Sequence, residues 1–182
     1  MKPARTRGYT LIELLVALAI LGVIVVICGR IFQQANVSWN IGSQKAEINM
    51  IGRSVADFIA QDISRCVART TGDYSFSGNP TFKVIDETSV TAGSLTKPLL
   101  DVAYTLSGTL QRKVGSEAVV TLAPNAMVKS VDVTAGPVAA GEVLPGYVDV
   151  KVTVQDADAS GYSADFKSRA WLANRDRYKY DE

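Results

Sequence analysis

The chain has 182 residues, of which 47% are hydrophobic and 20% charged, and its formal net charge is +1. It contains no histidine, which excludes acid–base catalysis by histidine and histidine metal ligands. A near-neutral chain of this length predicts one domain with a substantial core, and its charge gives no reason to expect a nucleic-acid partner.

The run from Leu11 to Cys28 is apolar throughout except for one acid, Glu13. As a helix of about eighteen residues it would reach about 27 Å, close to the thickness of the hydrocarbon core of a bilayer. An ionised carboxylate in lipid is costly, and such residues usually have a partner and a function. Because no basic residue lies within this run, we expect another chain to supply the partner of Glu13.

The segment Arg7-Gly8-Tyr9-Thr10-Leu11-Ile12-Glu13, with the apolar run after it, closely resembles the class III signal of type IV pilins and type II secretion pseudopilins. The resemblance implies that a membrane prepilin peptidase cuts between Gly8 and Tyr9 and methylates Tyr9, a position where most members have Phe. It also implies that Glu13 neutralises the terminal amine of a neighbouring subunit. Physical reasoning agrees, because pairing two buried charges offsets a desolvation cost that each would otherwise suffer alone.

Two other interpretations of this segment stay open, an uncleaved signal anchor with an incidental Glu13 and a cleaved secretory signal. Against the secretory signal, no small-residue cleavage site follows the run, where the sequence is Gly29-Arg30-Ile31-Phe32. Basic residues precede the run, none lies inside it, and the next one in the sequence is Arg30. This asymmetry predicts a cytoplasmic N-terminus and an extracytoplasmic remainder, anchored in the cytoplasmic (inner) membrane by a single span.

A helical pattern continues beyond the membrane run, with no proline from Ile31 to Val67. Apolar residues at spacings of three and four predict one buried face, made of Ile48, Ile51, Val55, Phe58, Ile59, Ile63 and Cys66. A second set steps by four and predicts a solvated ladder, with a modest ion pair between its first two members; it comprises Arg53, Asp57, Gln61 and Arg65.

The two cysteines, Cys28 and Cys66, lie on the same predicted helix. If that helix is continuous, about 57 Å separates them, whereas a disulfide needs Cα atoms within about 7 Å. We therefore predict that they are not bonded to each other in one chain, and that both are buried thiols.

Short segments of alternating hydrophobicity follow the Gly-, Ser- and Thr-rich stretch at 70–80 and predict strands. The clearest is Tyr147 to Gln155, in which four valines alternate with other residues, so that one face should be buried under the helix. Ser107-Gly108 predicts a tight turn between two strands. The remaining predicted strands are Phe82–Asp86, Leu99–Leu106, Thr109–Val114, Ala118–Leu122, Val128–Val133 and Tyr162–Leu172.

A long helix followed by antiparallel strands predicts an α+β fold, and the resemblance independently implies the pilin-like fold. The predicted division is a leader at 1–8, a transmembrane and assembly helix at 9–32, its second, periplasmic half at 33–69, and a β-sheet domain with a polar tail at 70–182. Four further segments resemble J-type minor pseudopilins and W-type minor pilins, and favour a minor subunit; they are Ser54–Arg65, Val102–Arg112, Leu144-Pro145 and Ser168–Arg175.

The segment beginning at Asp156 imitates the opening of a calcium loop, with Asp156, Asp158 and Ser160 as weak candidate ligands. The bidentate acid of such a loop comes at its twelfth position, which here is Lys167. Because Asp, Ser and Gly also form turns, we expect a hairpin here and no metal ion. Trp39 would suit either an interfacial anchor or a contact with a neighbouring subunit.

The sequence thus predicts a non-enzymatic minor pseudopilin of a type II secretion-type pseudopilus, at its tip or in its initiation complex, with no cofactor. The alternatives are a minor type IV pilin for pilus assembly, adhesion or DNA uptake, and a signal-anchored enzyme or binding domain. The resemblance implies four kinds of partner: the prepilin peptidase, other pilin or pseudopilin subunits, an assembly platform with its ATPase, and membrane lipid.

Overall fold

The computed structural model describes residues 10–68, 70–85, 99–123, 127–156 and 161–172. The predicted leader at 1–8 and the predicted polar tail from Asn174 onward lie outside these residues. The chain forms two compact units, Met1–Lys45 and Ala46–Glu182. A single helix, α1 (Leu11–Ser64), contributes to both, and it continues without a break across the predicted division at residue 32.

Helix α1 ends at Ser64, a few residues before the predicted limit. The last turn tightens, because the N–H groups of Arg65 and Cys66 donate to carbonyls three residues earlier. Cys66 then forms a β-bridge with Val84, and the N–H of Val67 donates to the carbonyl of Lys83 at 2.8 Å. The chain therefore leaves the helix in order to pair with a strand. Helical periodicity could not predict this end of the helix.

The part of α1 in the second unit buries a face close to the predicted one, but with two corrections. Phe58 is 40% exposed, and Ile51 is only partly buried. Small residues occupy much of the buried face instead and allow the helix to approach the strands closely. The buried residues of α1 are Ile48, Gly52, Val55, Ala56, Ile59, Ala60, Asp62 and Ile63.

Gly52 lies directly against Phe166 of β8, because a Cβ added there would overlap the Phe166 ring. Ala normally stabilises a helix interior by about 1 kcal/mol relative to Gly. We nevertheless expect Gly52→Ala to lower the free energy of unfolding by about 1–3 kcal/mol, because overpacking displaces the Phe166 ring. Urea titration of the detergent-solubilised chain would measure the change.

The matched control for this substitution is Gly42→Ala, since a Cβ at Gly42 of the same helix meets no atom within 4 Å. This variant should be as stable as the parent or slightly more so. Phe166→Leu should recover part of the loss caused by Gly52→Ala. An increase in stability on Gly52→Ala would contradict the proposed overlap.

The described strands form two antiparallel sheets rather than the single sheet that the sequence suggested. The first sheet has the order β1-β2-β3-β4-β5 and the second the order β6-β7-β8. Their bounds are β1 (Tyr74–Ser75), β2 (Thr81–Ile85), β3 (Leu99–Ser107), β4 (Thr109–Val114), β5 (Val120–Thr121), β6 (Val128–Ala135), β7 (Tyr147–Gln155) and β8 (Ser163–Trp171).

The predicted hairpins are present in both sheets. Strands β3 and β4 join through Gly108, whose positive φ of 74° explains the glycine at this tight turn. In β7 the four valines at alternate positions are fully buried, as predicted. Strand β8 pairs with β7 along its whole length, from Tyr147 opposite Trp171 to Gln155 opposite Ser163.

The second sheet and α1 share a hydrophobic core, to which β8 contributes Phe166, Ala170 and the following Leu172. The hydroxyl of Ser168 donates to Asp57 Oδ1 at 2.9 Å, so this acid pairs with the sheet rather than with Arg53. The fold is therefore the predicted α+β, pilin-like arrangement, in which one long N-terminal helix packs against antiparallel sheets.

Candidate processing and assembly segment

The described structure begins at Thr10, which caps helix α1. The N–H of Glu13 donates to the carbonyl of Thr10 at 3.1 Å and to its Oγ1 at 3.4 Å. Thr10-Leu-Ile-Glu13 therefore has the spacing of a capping box, in which the residue at the third helical position can reciprocate. The predicted processing residues, Gly8 and Tyr9, lie outside the described residues, immediately before this cap.

Glu13 lies exposed in the first turn of α1. A negative charge is favourable there, because the N–H groups at a helix N-terminus carry partial positive charge. Within the described part of the chain, its carboxylate accepts no hydrogen bond and forms no ion pair. Glu13 is therefore at the start of the apolar helix, four residues after Tyr9 in the sequence.

The apolar side chains that follow Glu13 are exposed along the whole run, from Leu14 at 58% to Ile27 at 52%. An eighteen-residue window of this helix has a mean hydropathy of 3.1 and none of it is buried. By length and composition α1 can cross a membrane. This much contiguous apolar surface requires lipid or other apolar helices around it.

Cys28 and Trp39 also lie on exposed parts of α1. Cys28 is a free, exposed thiol, so the prediction that it is buried is wrong for the single chain. The periodicity of α1 could not predict its burial, because Cys28 belongs to a run that is apolar on every side. Trp39 is 77% exposed, which leaves both of its predicted roles open.

Cys66 is a free thiol that is fully buried, as predicted, and burial raises its pKa from 9.0 to about 12. Since the thiolate is the reactive form, we expect Cys66 to resist alkylation at pH 8 in the folded chain and to react in urea. A Cys28→Ser background would leave Cys66 as the reporter. Fast labelling without urea would contradict the burial.

The same raised pKa has a consequence for stability at high pH. The unfolded chain ionises Cys66 above about pH 9, whereas the folded chain keeps it neutral up to about pH 12. Unfolding therefore releases a proton in this window, and the folded state loses stability by about 1.4 kcal/mol per pH unit. Cys66→Ala should flatten this alkaline slope in urea titrations between pH 9 and 11.

A buried charge network, which was not predicted from the sequence, joins the end of α1 to the first sheet. The carboxylate of Asp62, 6% exposed, accepts from Arg112 Nε at 2.6 Å, from Arg112 Nη2 at 3.0 Å and from the Tyr104 hydroxyl at 2.6 Å. Burial, and then the bond to Asp62, raise the pKa of Tyr104. The bond to Asp62 likewise raises the pKa of Arg112. A usable signal did exist, because Asp62 is an acid three residues after Ile59 on the apolar face.

The weak calcium candidates are only partly described. Asp156 is buried, and its N–H donates to the carbonyl of Tyr162 at 3.1 Å, which helps to close the β7–β8 hairpin. Asp158 and Ser160 lie outside the described residues. Across the described ranges, no three acidic or cysteine side chains group as metal ligands would.

A groove of about 250 Å³ lies between strands of the two sheets. Among the described residues its lining includes Pro80, Tyr104 and one charged residue, Lys129. This groove is where a ligand could bind if the chain were instead a signal-anchored enzyme or binding domain.

Comparison with known proteins gives a match for the N-terminal segment. A family model described as the prokaryotic N-terminal methylation motif matches residues 3–29, a range that contains Gly8, Tyr9 and Glu13. No curated protein and no solved structure matches the chain. The motif implies processing by a prepilin peptidase, assembly with other pilin subunits, and a structural role. The second part of α1 packs on antiparallel sheets, and its apolar first part is exposed. Together with this arrangement, the match to a type IV pilin-type prepilin signal supports a type IV pilin or pseudopilin family.

Proposed function

We propose that this chain is a minor pseudopilin, a structural subunit at the tip or in the initiation complex of a type II secretion-type pseudopilus. The observation that carries the proposal is the methylation motif at residues 3–29, continued by the exposed apolar helix. A prepilin peptidase cuts between Gly8 and Tyr9 and methylates the new terminus at Tyr9. Processing leaves Thr10 and Glu13 at the start of a helix that is already capped.

In this proposal the apolar segment of α1 acts first as a lipid anchor and then as a packing element among other subunits. The basic residues before it keep its start in the cytoplasm, and the second unit lies outside the cytoplasmic membrane. Extraction from lipid costs little when other apolar helices replace the lipid. An assembly platform and its ATPase supply the work, and Glu13 pairs with the terminal amine of a neighbouring subunit.

The proposal of a minor subunit rests on the segments that resemble J-type pseudopilins and W-type minor pilins. The buried Asp62 network joins two of these segments. Asp62 lies in Ser54–Arg65, and Tyr104 and Arg112 lie in Val102–Arg112. The alternative within the family is a minor type IV pilin that serves pilus assembly, adhesion or DNA uptake. Deletion of the gene would distinguish them, because the first role predicts loss of protein secretion and the second predicts loss of surface pili.

The first experiment is the mass of the N-terminal peptide from native membranes. The proposal expects Tyr9 as the first residue, carrying one methyl group on its amine. A chain that still begins at Met1 or Lys2, in cells with an active prepilin peptidase, would overturn the proposal. The chain would then be a plain signal anchor, and the groove between the sheets would become the first place to search for a ligand.

A further inference from the structure

Four side chains form a cluster at one end of the outer face of the β6-β7-β8 sheet. They are Tyr147 and Asp149 of β7 and Arg169 and Trp171 of β8, and we refer to them as the Trp171 platform. Tyr147 lies directly opposite Trp171, and Asp149 directly opposite Arg169. The buried valines of β7 point to the other face, so the platform is on the solvent side.

Arg169 is held in place from two sides. Its Nε and Nη2 donate to the two carboxylate oxygens of Asp149 at 2.6 and 3.0 Å. Its guanidinium carbon lies 4.2 Å from the ring centre of Tyr147 and 5.8 Å from that of Trp171. A partner that binds here would therefore not have to immobilise this long side chain, which lowers the entropic cost of association.

The aromatic rings are also positioned in advance. The ring centres of Tyr147 and Trp171 are 5.7 Å apart and the rings are tilted by 60°. Tyr147 rests on Gly136, where a Cβ would come within 2.8 Å of its ring. Both the arginine and the tyrosine are thus fixed before any partner arrives.

The exposure of Trp171 is more than sheet stability requires. Cross-strand pairing stabilises a sheet, and it accounts for the contact of Trp171 with Tyr147. However, Trp171 remains 63% exposed, so most of its apolar surface faces water. Trp, Tyr and Arg are the residues enriched in the energetic centres of protein interfaces. This combination, already ordered, points to an interface.

The charge of the platform limits the classes of partner that it could bind. Asp149 compensates Arg169, and the resulting hydrogen bonds hold the pKa of Asp149 below its usual value. Lys167 lies two residues before Arg169 on the same face, but one further cation does not make the cluster of unpaired cations on which binding to nucleic acid or anionic lipid depends. The platform suits an uncharged protein surface that offers an apolar or aromatic side chain to Trp171.

The partner should also present a different surface. Two identical platforms facing each other would close a symmetric dimer, which cannot extend a filament through that surface. In addition, the apolar run of α1 offers little beyond Glu13 by which subunits could be told apart. We propose that the Trp171 platform binds the globular domain of a different pilin-type subunit and selects that subunit as neighbour. This inference rests on the proposed function.

The test places a photo-crosslinking aromatic residue at position 171 of the full-length chain in its native host. We expect a light-dependent adduct with another protein whose sequence starts with a prepilin-type signal. The same probe at position 153, on the same face at the far end of β7, should give at least tenfold less adduct. Absence of an adduct, an adduct with a second copy alone, or one sensitive to a cell-wall muramidase would overturn the proposal.

Substitutions in the Trp171 platform provide a second test of the proposal. Trp171→Ala and Arg169→Ala should each reduce the partner recovered with a tagged full-length chain at least tenfold. Lys151→Ala is the matched control, because it removes an exposed cross-strand pair with Asp165 on the same face, and it should leave recovery unchanged. Unaltered recovery with Trp171→Ala would overturn the inference.

The N-terminal peptide of the same preparations separates the two proposals. A methylated Tyr9 together with unaltered recovery would leave the proposed function standing and remove the role of the platform. An unprocessed N-terminus would remove the proposed function itself, and with it the basis of this inference.

Discussion

Asp62→Ala is expected to lower the free energy of unfolding by about 3 kcal/mol, the largest loss of stability among the substitutions considered. The substitution leaves the Arg112 guanidinium and the Tyr104 hydroxyl without their acceptor at a site where Tyr104 is fully buried. Removing one member of a buried ion pair costs about 3–5 kcal/mol, and partial exposure of Arg112 places the value at the low end. Urea titration in a Trp39→Phe background, with Trp171 as the fluorescent reporter, would measure it.

The chain offers a close control in Asp149→Ala. The Asp149–Arg169 pair has the same two hydrogen-bond lengths as the Asp62–Arg112 pair, 2.6 and 3.0 Å. Its side chains are each 47% exposed, so water replaces the lost interaction. Exposed pairs contribute about 0–1 kcal/mol, and Asp149→Ala should therefore change stability little. Equal losses for the two substitutions would show that burial does not set the strength of the Asp62 network.

The double variant Asp62→Ala/Arg112→Met tests the cause of the loss. If the cost arises from an uncompensated buried charge, removing that charge as well should restore part of the stability. The double variant should then be more stable than the sum of the two single losses predicts. Additive losses would indicate that the two residues stabilise the fold independently.

Local sequence patterns predicted the elements that repeat regularly. Alternation of four valines predicted β7 with its limits at Tyr147 and Gln155, and Ser107-Gly108 located the turn after β3. Both features depend on neighbouring residues alone, which a sequence displays directly. The methylation motif was likewise recognisable, because it is a contiguous segment.

Features that depend on residues far apart in sequence were not predicted. The acceptor at Asp62 and the donor at Arg112 are fifty positions apart, and no local pattern links them. Phe58 satisfied the helical spacing, yet it lies at the edge of the buried face, where the Arg112 guanidinium covers its ring at 5.5 Å. The division into two sheets also depends on pairing between distant strands, so the prediction of one sheet could not be corrected from local sequence patterns.

Glu13→Ala is expected to leave membrane insertion intact and to abolish incorporation into filaments. Removing an acid from an apolar segment makes insertion more favourable, not less. During assembly, however, the terminal amine of a neighbouring Tyr9 would be left as an uncompensated buried charge. Breaking such a pair costs about 3–5 kcal/mol, which corresponds to a loss of more than a hundredfold in affinity. Fractionation of membranes and of sheared filaments would measure the two properties separately.

A second variant is necessary because Glu13 has two possible roles. It occupies the third helical position of a capping box that starts at Thr10, and it carries the charge proposed to pair with the amine. Glu13→Gln removes the charge but keeps a side chain that can complete the box. If Glu13 pairs with an amine, Glu13→Gln should be incorporated into filaments as poorly as Glu13→Ala. If Glu13 only caps the helix, Glu13→Gln should be incorporated almost normally. Thr10→Ala gives the complementary measurement, since it removes the cap and leaves the charge. If Glu13→Gln assembles normally and Thr10→Ala does not, the acid serves to begin the helix, and the amine of the neighbouring subunit needs another partner.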